Sequence, residues 1–176
     1  DVYKRQVPAC SAVAVYADYQ PTLNRACELA HILGEASLRD RLIAYPAIAQ
    51  NPSLLSCEIA GRFFMDAFLA QLLEETEWER REHAAVLWQA LRQIGVNLLH
   101  LPFRFELSHR LHEERRHGYL SVNDINKLTN TIWEDYFADT VRGSDQYVWA
   151  AKLHFYLPRE PHYDWQYTAG YLLSLI

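Results

Sequence analysis

Leu29-Ala-His31-Ile-Leu-Gly34-Glu35-Ala36 sets an imidazole and a carboxylate four positions apart. On a helix these positions share a face, so His31 and Glu35 can reach one ion together. The same spacing serves zinc sites built on His-Glu-x-x-His helices. In those, two imidazoles bind the ion and the carboxylate between them activates the attacking water. Here Ile32 stands at the carboxylate position and Glu35 at the second-imidazole position. At helical spacing Glu58 falls in line with Leu54, Gly61, Met65, Phe68 and Leu72. A carboxylate on an apolar stripe is costly to bury without a partner or a metal. Glu58 is therefore either a third ligand or the ion-pair partner of Arg62 at i+4. Cys27, one turn before His31, is a further candidate donor as a thiolate.

Other chemistry-bearing groups read more simply. Glu106-Leu-Ser-His109 has the Glu-x-x-His spacing of di-iron helical bundles, but those sites need a second copy on another helix and the sequence holds none. His109, His112 and His117 lie among Arg110, Glu113, Glu114, Arg115 and Arg116, which reads as a solvated helix face. Glu74 to Glu82 reads as a charged helix start. Neither a Gly-rich phosphate loop nor a G-x-S-x-G elbow occurs.

The elements that must position these residues are almost all helical. One helix is expected from Leu23 to about Leu42, with Pro46 and Pro52 bounding the loop after it. Ser53 to Glu75 is apolar around most of its circumference and reads as a core helix with neighbours on several sides. A long amphipathic stretch runs from Trp78 to His117, where Pro102 forces a kink or a break. Gly118 stands where a helix C-terminal glycine is expected. Ser121-Val-Asn-Asp124 matches a capping box and starts a helix with Ile125, Leu128, Ile132 and Tyr136 on one stripe. Val13 to Tyr19 is the single extended stretch, ending at Gln20-Pro21. An aromatic tail from Tyr147 to Ile176 is divided by Pro158 and Pro161. The expected fold is mainly α, with at most one short strand near the N-terminus.

Composition narrows the function classes. A hydrophobic share of 50% with 22% charged residues is an ordinary globular mix and excludes disorder and collagen-like repeats. With 17 Lys+Arg against 22 Asp+Glu the net charge is -5, which argues against a nucleic-acid surface. No apolar run approaches the roughly 18 residues of a membrane span. Cys10, Cys27 and Cys57 are odd in number and lack C-x-x-C spacing, so a reduced, cytoplasmic chain is expected. Lys4-Arg5 followed by Val13-Ala14-Val15 imitates a signal peptide that Pro8 interrupts. Met65 being the single methionine, the chain reads as part of a longer one, with Asp1 to Gln6 a scar outside the fold.

Leu23-Asn24, Leu29-Ala30-His31, Gly34 and the later Glu58 resemble the thimet oligopeptidase and oligoendopeptidase F family of zinc metallopeptidases. The family motif reads Leu-Ala-His-Glu-Leu-Gly-His-Ala, against Leu-Ala-His-Ile-Leu-Gly-Glu-Ala here. Lys152-Leu-His154-Phe-Tyr156 and Pro161-His-Tyr163-Asp-Trp-Gln-Tyr167-Thr-Ala-Gly170-Tyr171-Leu-Leu-Ser174 resemble its substrate-binding segment. Phe103-Arg104-Phe105-Glu106 and the Gly118-to-Ser121 boundary fit the helices between.

The resemblance covers Tyr19 to Ile176 and implies a zincin-like catalytic-domain portion within residues 19–176, its upstream part missing. It implies His31, Glu35 and Glu58 as metal ligands, and a peptide cleft lined by His154, Tyr163, Tyr167 and Tyr171. His154 and Tyr163 would stabilise the developing oxyanion. Trp149, Phe155 and Trp165 are expected to pack in the core. Ile32 cannot accept a proton, and losing general-base help costs roughly 10²–10⁴-fold. Glu35 leaves one nitrogen and two anionic oxygens, a set that favours harder ions. The expectation is an oligopeptide-binding metalloendopeptidase relative, impaired or inactive, with zinc weakly held, lost, or replaced by another divalent ion. The alternative is a metal-free, non-enzymatic helical module that binds peptides or a protein. Neither nucleic acid nor membrane is expected as a partner.

Overall fold

The computed structural model describes residues 13–18, 20–75, 77–156 and 162–176. The sequence expectations placed on Lys4-Arg5, Pro8, Cys10, Tyr19, Pro158 and Pro161 lie outside these residues. The described chain is mainly helical: α1 Leu23–Leu42, α2 Leu54–Glu74, α3 Arg80–Gly95, α4 Leu101–Arg116, α5 Val122–Phe137, α6 Val148–Ala151 and α7 Trp165–Ser174. No strand occurs among the described residues. Val13 to Asp18 forms no regular element, because apolar alternation makes a strand only where a neighbouring strand pairs with it. Among the described residues no helix is long and apolar enough to cross a membrane.

Backbone contacts divide the chain into two compact units. The first comprises the chain up to Gln93 together with Ala169–Ile176. Its frame is the α1–α2 pair. Thr22 caps α1 by accepting the Arg25 N–H at 3.3 Å, and Ser53 caps α2 by accepting that of Ser56 at 3.1 Å. Arg39 meets Cys57, and Gly34 meets Ala60 and Gly61. Cys27 shares a core cluster with Met65. Rising numbers on α1 thus face falling numbers on α2, which makes the pair antiparallel. Val86 of α3 and Leu69 complete that cluster. As expected, α2 has neighbours on several sides, in α1, α3 and α7, though not around its whole circumference. Its buried face carries Cys57, Glu58, Gly61, Met65 and Leu69, while Phe63 and Phe64 are exposed.

The second unit is Ile94–Thr168. Phe103, Leu107, Ile132, Phe137 and Val148 form its core. Phe103 is fully enclosed and meets Trp133 edge-to-face at 5.3 Å between ring centroids. Ahead of Pro102 the α-helix is interrupted, as expected: α3 ends at Gly95 and α4 starts at Leu101. Val96–His100 widens into a π-turn, which absorbs the proline's missing N–H and its clash with the preceding turn. The Asn97 carbonyl accepts the Thr168 hydroxyl at 2.8 Å. The capping box at α5 is present in both directions: Asp124 N–H to Ser121 Oγ, and Ser121 N–H to Asp124 Oδ2 at 3.0 Å. Trp149 and Phe155 pack on this core as expected, but Trp165 is exposed.

Candidate functional site

In the first unit His31 and Glu35 lie one turn apart on α1, and Glu58 lies on the antiparallel α2. His31 Nε2 is 3.0 Å from Glu35 Oε1 and 3.6 Å from Glu58 Oε2. One donor atom from each residue lies within 4.8 Å of the other two, and among the described residues no other trio of His, Cys, Asp or Glu meets that condition. Both carboxylates are nearly inaccessible, Glu35 at 2% and Glu58 at 4% exposure.

The helices reach this closeness through glycines. A Cβ at Gly34 would sit 2.4 Å from the Ala60 carbonyl oxygen, and one at Gly61 would sit 2.6 Å from the His31 ring. A Cβ at Gly170 of α7 would sit 2.6 Å from Glu58 Cβ. Each contact is closer than a methyl group permits, so only glycine lets the backbones approach here.

Ligands about 2.1 Å from a tetrahedral ion stand roughly 3.4 Å apart, close to the separations seen here. One imidazole nitrogen and two buried carboxylate oxygens therefore fit a divalent cation. Arg62 Nε also lies 3.6 Å from Glu58 Oε2, so the Glu58–Arg62 pair read from the sequence is present alongside the cluster. Ile32 is buried and borders a groove of about 540 Å³ together with Val15, Pro21, Leu23 and Leu29. No proton acceptor stands at that position. Cys27 does not join the donors. It is buried with Met65, Leu69 and Val86, and burial pushes its thiol up to about 11, which keeps it protonated at neutral pH.

In the second unit His154 stacks on Tyr163 at 5.0 Å and meets Tyr167 edge-on at 6.2 Å, with Tyr163 and Tyr167 5.4 Å apart. Three of the four expected cleft residues thus come together. Tyr171 belongs to the first unit, where burial and the Asp66 carboxylate raise its phenol. Arg104 and Asp164, which the sequence did not single out as site residues, complete the second cluster. Both are buried and joined at 2.8 Å, and Arg104 Nη2 also donates to His154 Nδ1. Burial, and then the Arg104 charge, lower the His154 pKa. Burial raises the Asp164 carboxyl, and Arg104 opposes that shift.

The solvated-face reading of α4 needs a similar amendment. His109 and His112 contact His162 at 5.5 and 5.1 Å between ring centroids. No local spacing signals a residue fifty positions downstream. His109 otherwise lies 3.4 Å from Glu113 and Glu106 pairs with Arg110 at 2.8 Å, so Glu106 and His109 are each engaged by a side chain of their own helix face. No protein-family model, curated protein or solved structure matches this chain.

Proposed function

We propose that the chain is an oligopeptide-binding relative of the oligoendopeptidase F-like metallopeptidases that holds a divalent cation and is impaired in hydrolysis. The observation that carries this reading is the convergence of His31, Glu35 and Glu58 at a glycine-lined approach of two helices. A divalent cation bound there supplies Lewis-acid polarisation and lowers the pKa of a bound water. His31 offers a neutral nitrogen, while Glu35 and Glu58 offer anionic oxygens whose burial is offset by the cation. Ile32 holds no group that takes a proton, so the general-base step has no residue in its place. His154 and Tyr163 present N–H and O–H donors suited to a peptide carbonyl.

The test is a fluorescence-quenched nonapeptide presented to the zinc- or manganese-loaded chain. Binding without cleavage is expected. Chelator-sensitive cleavage would show that the centre is not impaired, and absence of binding by the folded chain would overturn the oligopeptide reading. The Arg62–Glu58 ion pair favours a second reading, a metal-free helical module for peptides or a protein partner. Chelator-insensitive peptide binding by a chain that takes up no metal would select it.

A further inference from the structure

Arg104 is 6% exposed, Asp164 is 2% exposed, and the two are paired at 2.8 Å directly behind the His154 ring. A guanidinium carries only donors and stays charged at any accessible pH. The His154 nitrogen facing it, Nδ1, must therefore present a lone pair. A neutral imidazole with its lone pair at Nδ1 carries its proton at Nε2. Protonating Nδ1 would break the bond from Arg104 and set a second cation against the first in a desolvated site.

We propose that Arg104, anchored by Asp164, is a positioning residue that fixes His154 as the neutral Nε2–H tautomer, a hydrogen-bond donor aimed at a peptide carbonyl. Among the described residues the ring makes no other hydrogen bond. Tyr163 stacks on one face of it and Tyr167 meets it edge-on, so the ring's orientation is held from three directions. The Asp164 carboxylate keeps the guanidinium from turning away, much as an outer partner orients a metal-ligating histidine. A ring locked in this way donates at Nε2 without acting as a base there. It stabilises negative charge on an acceptor oxygen across the neutral pH range and takes no part in proton transfer. The groups facing it are Arg104, Asp164, Tyr163 and Tyr167, with Lys152 acting at longer range.

The choice of a peptide as the acceptor rests on the proposed function; the tautomer does not. The test is imidazole ¹⁵N NMR on the full chain, with His154→Gln used to assign the signal. The expected spectrum has an unprotonated Nδ1 and a protonated Nε2, unchanged from pH 8 to pH 6.5. A ring that carries its proton at Nδ1, or that titrates at or above 6.5, overturns the proposal without any variant having to fold. In Arg104→Met the ring should exchange between tautomers and titrate higher, with Arg104→Lys restoring part of the preference. A wild-type pattern in folded Arg104→Met also overturns it. The affinity of an acetylated, amidated hexaalanine is read separately and should fall about tenfold in Arg104→Met, the value of one hydrogen bond. Failure of hexaalanine to bind, with the tautomer as expected, overturns the peptide reading and leaves the positioning role standing.

Discussion

Gly61 is the residue on which the geometry of the candidate metal centre turns. A methyl group there would occupy the space of the His31 ring, 2.6 Å from its nearest atoms. In Gly61→Ala a clash of roughly 1–3 kcal/mol is set against about 1 kcal/mol of improved helix propensity. Stability by urea titration should therefore change little or fall slightly. Metal affinity by calorimetry should fall at least tenfold, because the imidazole has to leave its place. Gly95→Ala is the control, with open space around its Cβ and no expected effect on metal. A metal affinity unchanged in Gly61→Ala would mean that His31 is not a ligand. The candidate trio was legible in the sequence because two members share a helix at i+4 and the third is a carboxylate on an apolar stripe. Arg104 and Asp164 were not legible as partners of His154. Arg104 stands fifty positions before His154 and sixty before Asp164, and no local period encodes that.

The boundaries of the helices were legible wherever a side chain caps them. Thr22, Ser53 and Ser121 each satisfy an orphan amide, and the helices begin at the residue that follows. Ser121→Ala removes one arm of the capping box and should lower stability by about 1 kcal/mol, seen as a lower urea midpoint with an unchanged slope. An unchanged midpoint would show that Asp124 alone satisfies the start of α5. One element-level expectation failed for a physical reason. Val13 to Asp18 has no strand to pair with among the described residues. At Pro102 the expected interruption takes the form of a π-turn, Val96–His100, between α3 and α4. The hydrophobic circumference of α2 overstated how much of it is buried. Hydrophobicity counts residues that can be buried, whereas Phe63 and Phe64 remain exposed.

Over the whole molecule, charge and burial set the pH response. Burial lowers the pKa of His100, His154 and His162 below the ordinary 6.5, aided by Arg104 at the first two and by neighbouring imidazoles at the third. The unfolded chain then binds more protons than the folded one in the window just below 6.5. Stability from these groups is present above 6.5 and is lost as pH falls through their lowered values. Asp66 and Asp164, raised by burial, act with the opposite sign in a window that begins lower, at 3.8. The urea midpoint is expected to drop between pH 7.5 and pH 5.5, and His100→Gln should flatten the drop. A midpoint that rises on acidification would contradict this assignment. The central claim, that His31, Glu35 and Glu58 together hold a divalent ion, is tested most directly by metal stoichiometry after loading with zinc or manganese and desalting. Close to one ion per chain is expected, lost in Glu58→Gln while the fold by circular dichroism is kept. A folded chain that retains no ion, or that retains it equally in Glu58→Gln, would contradict it.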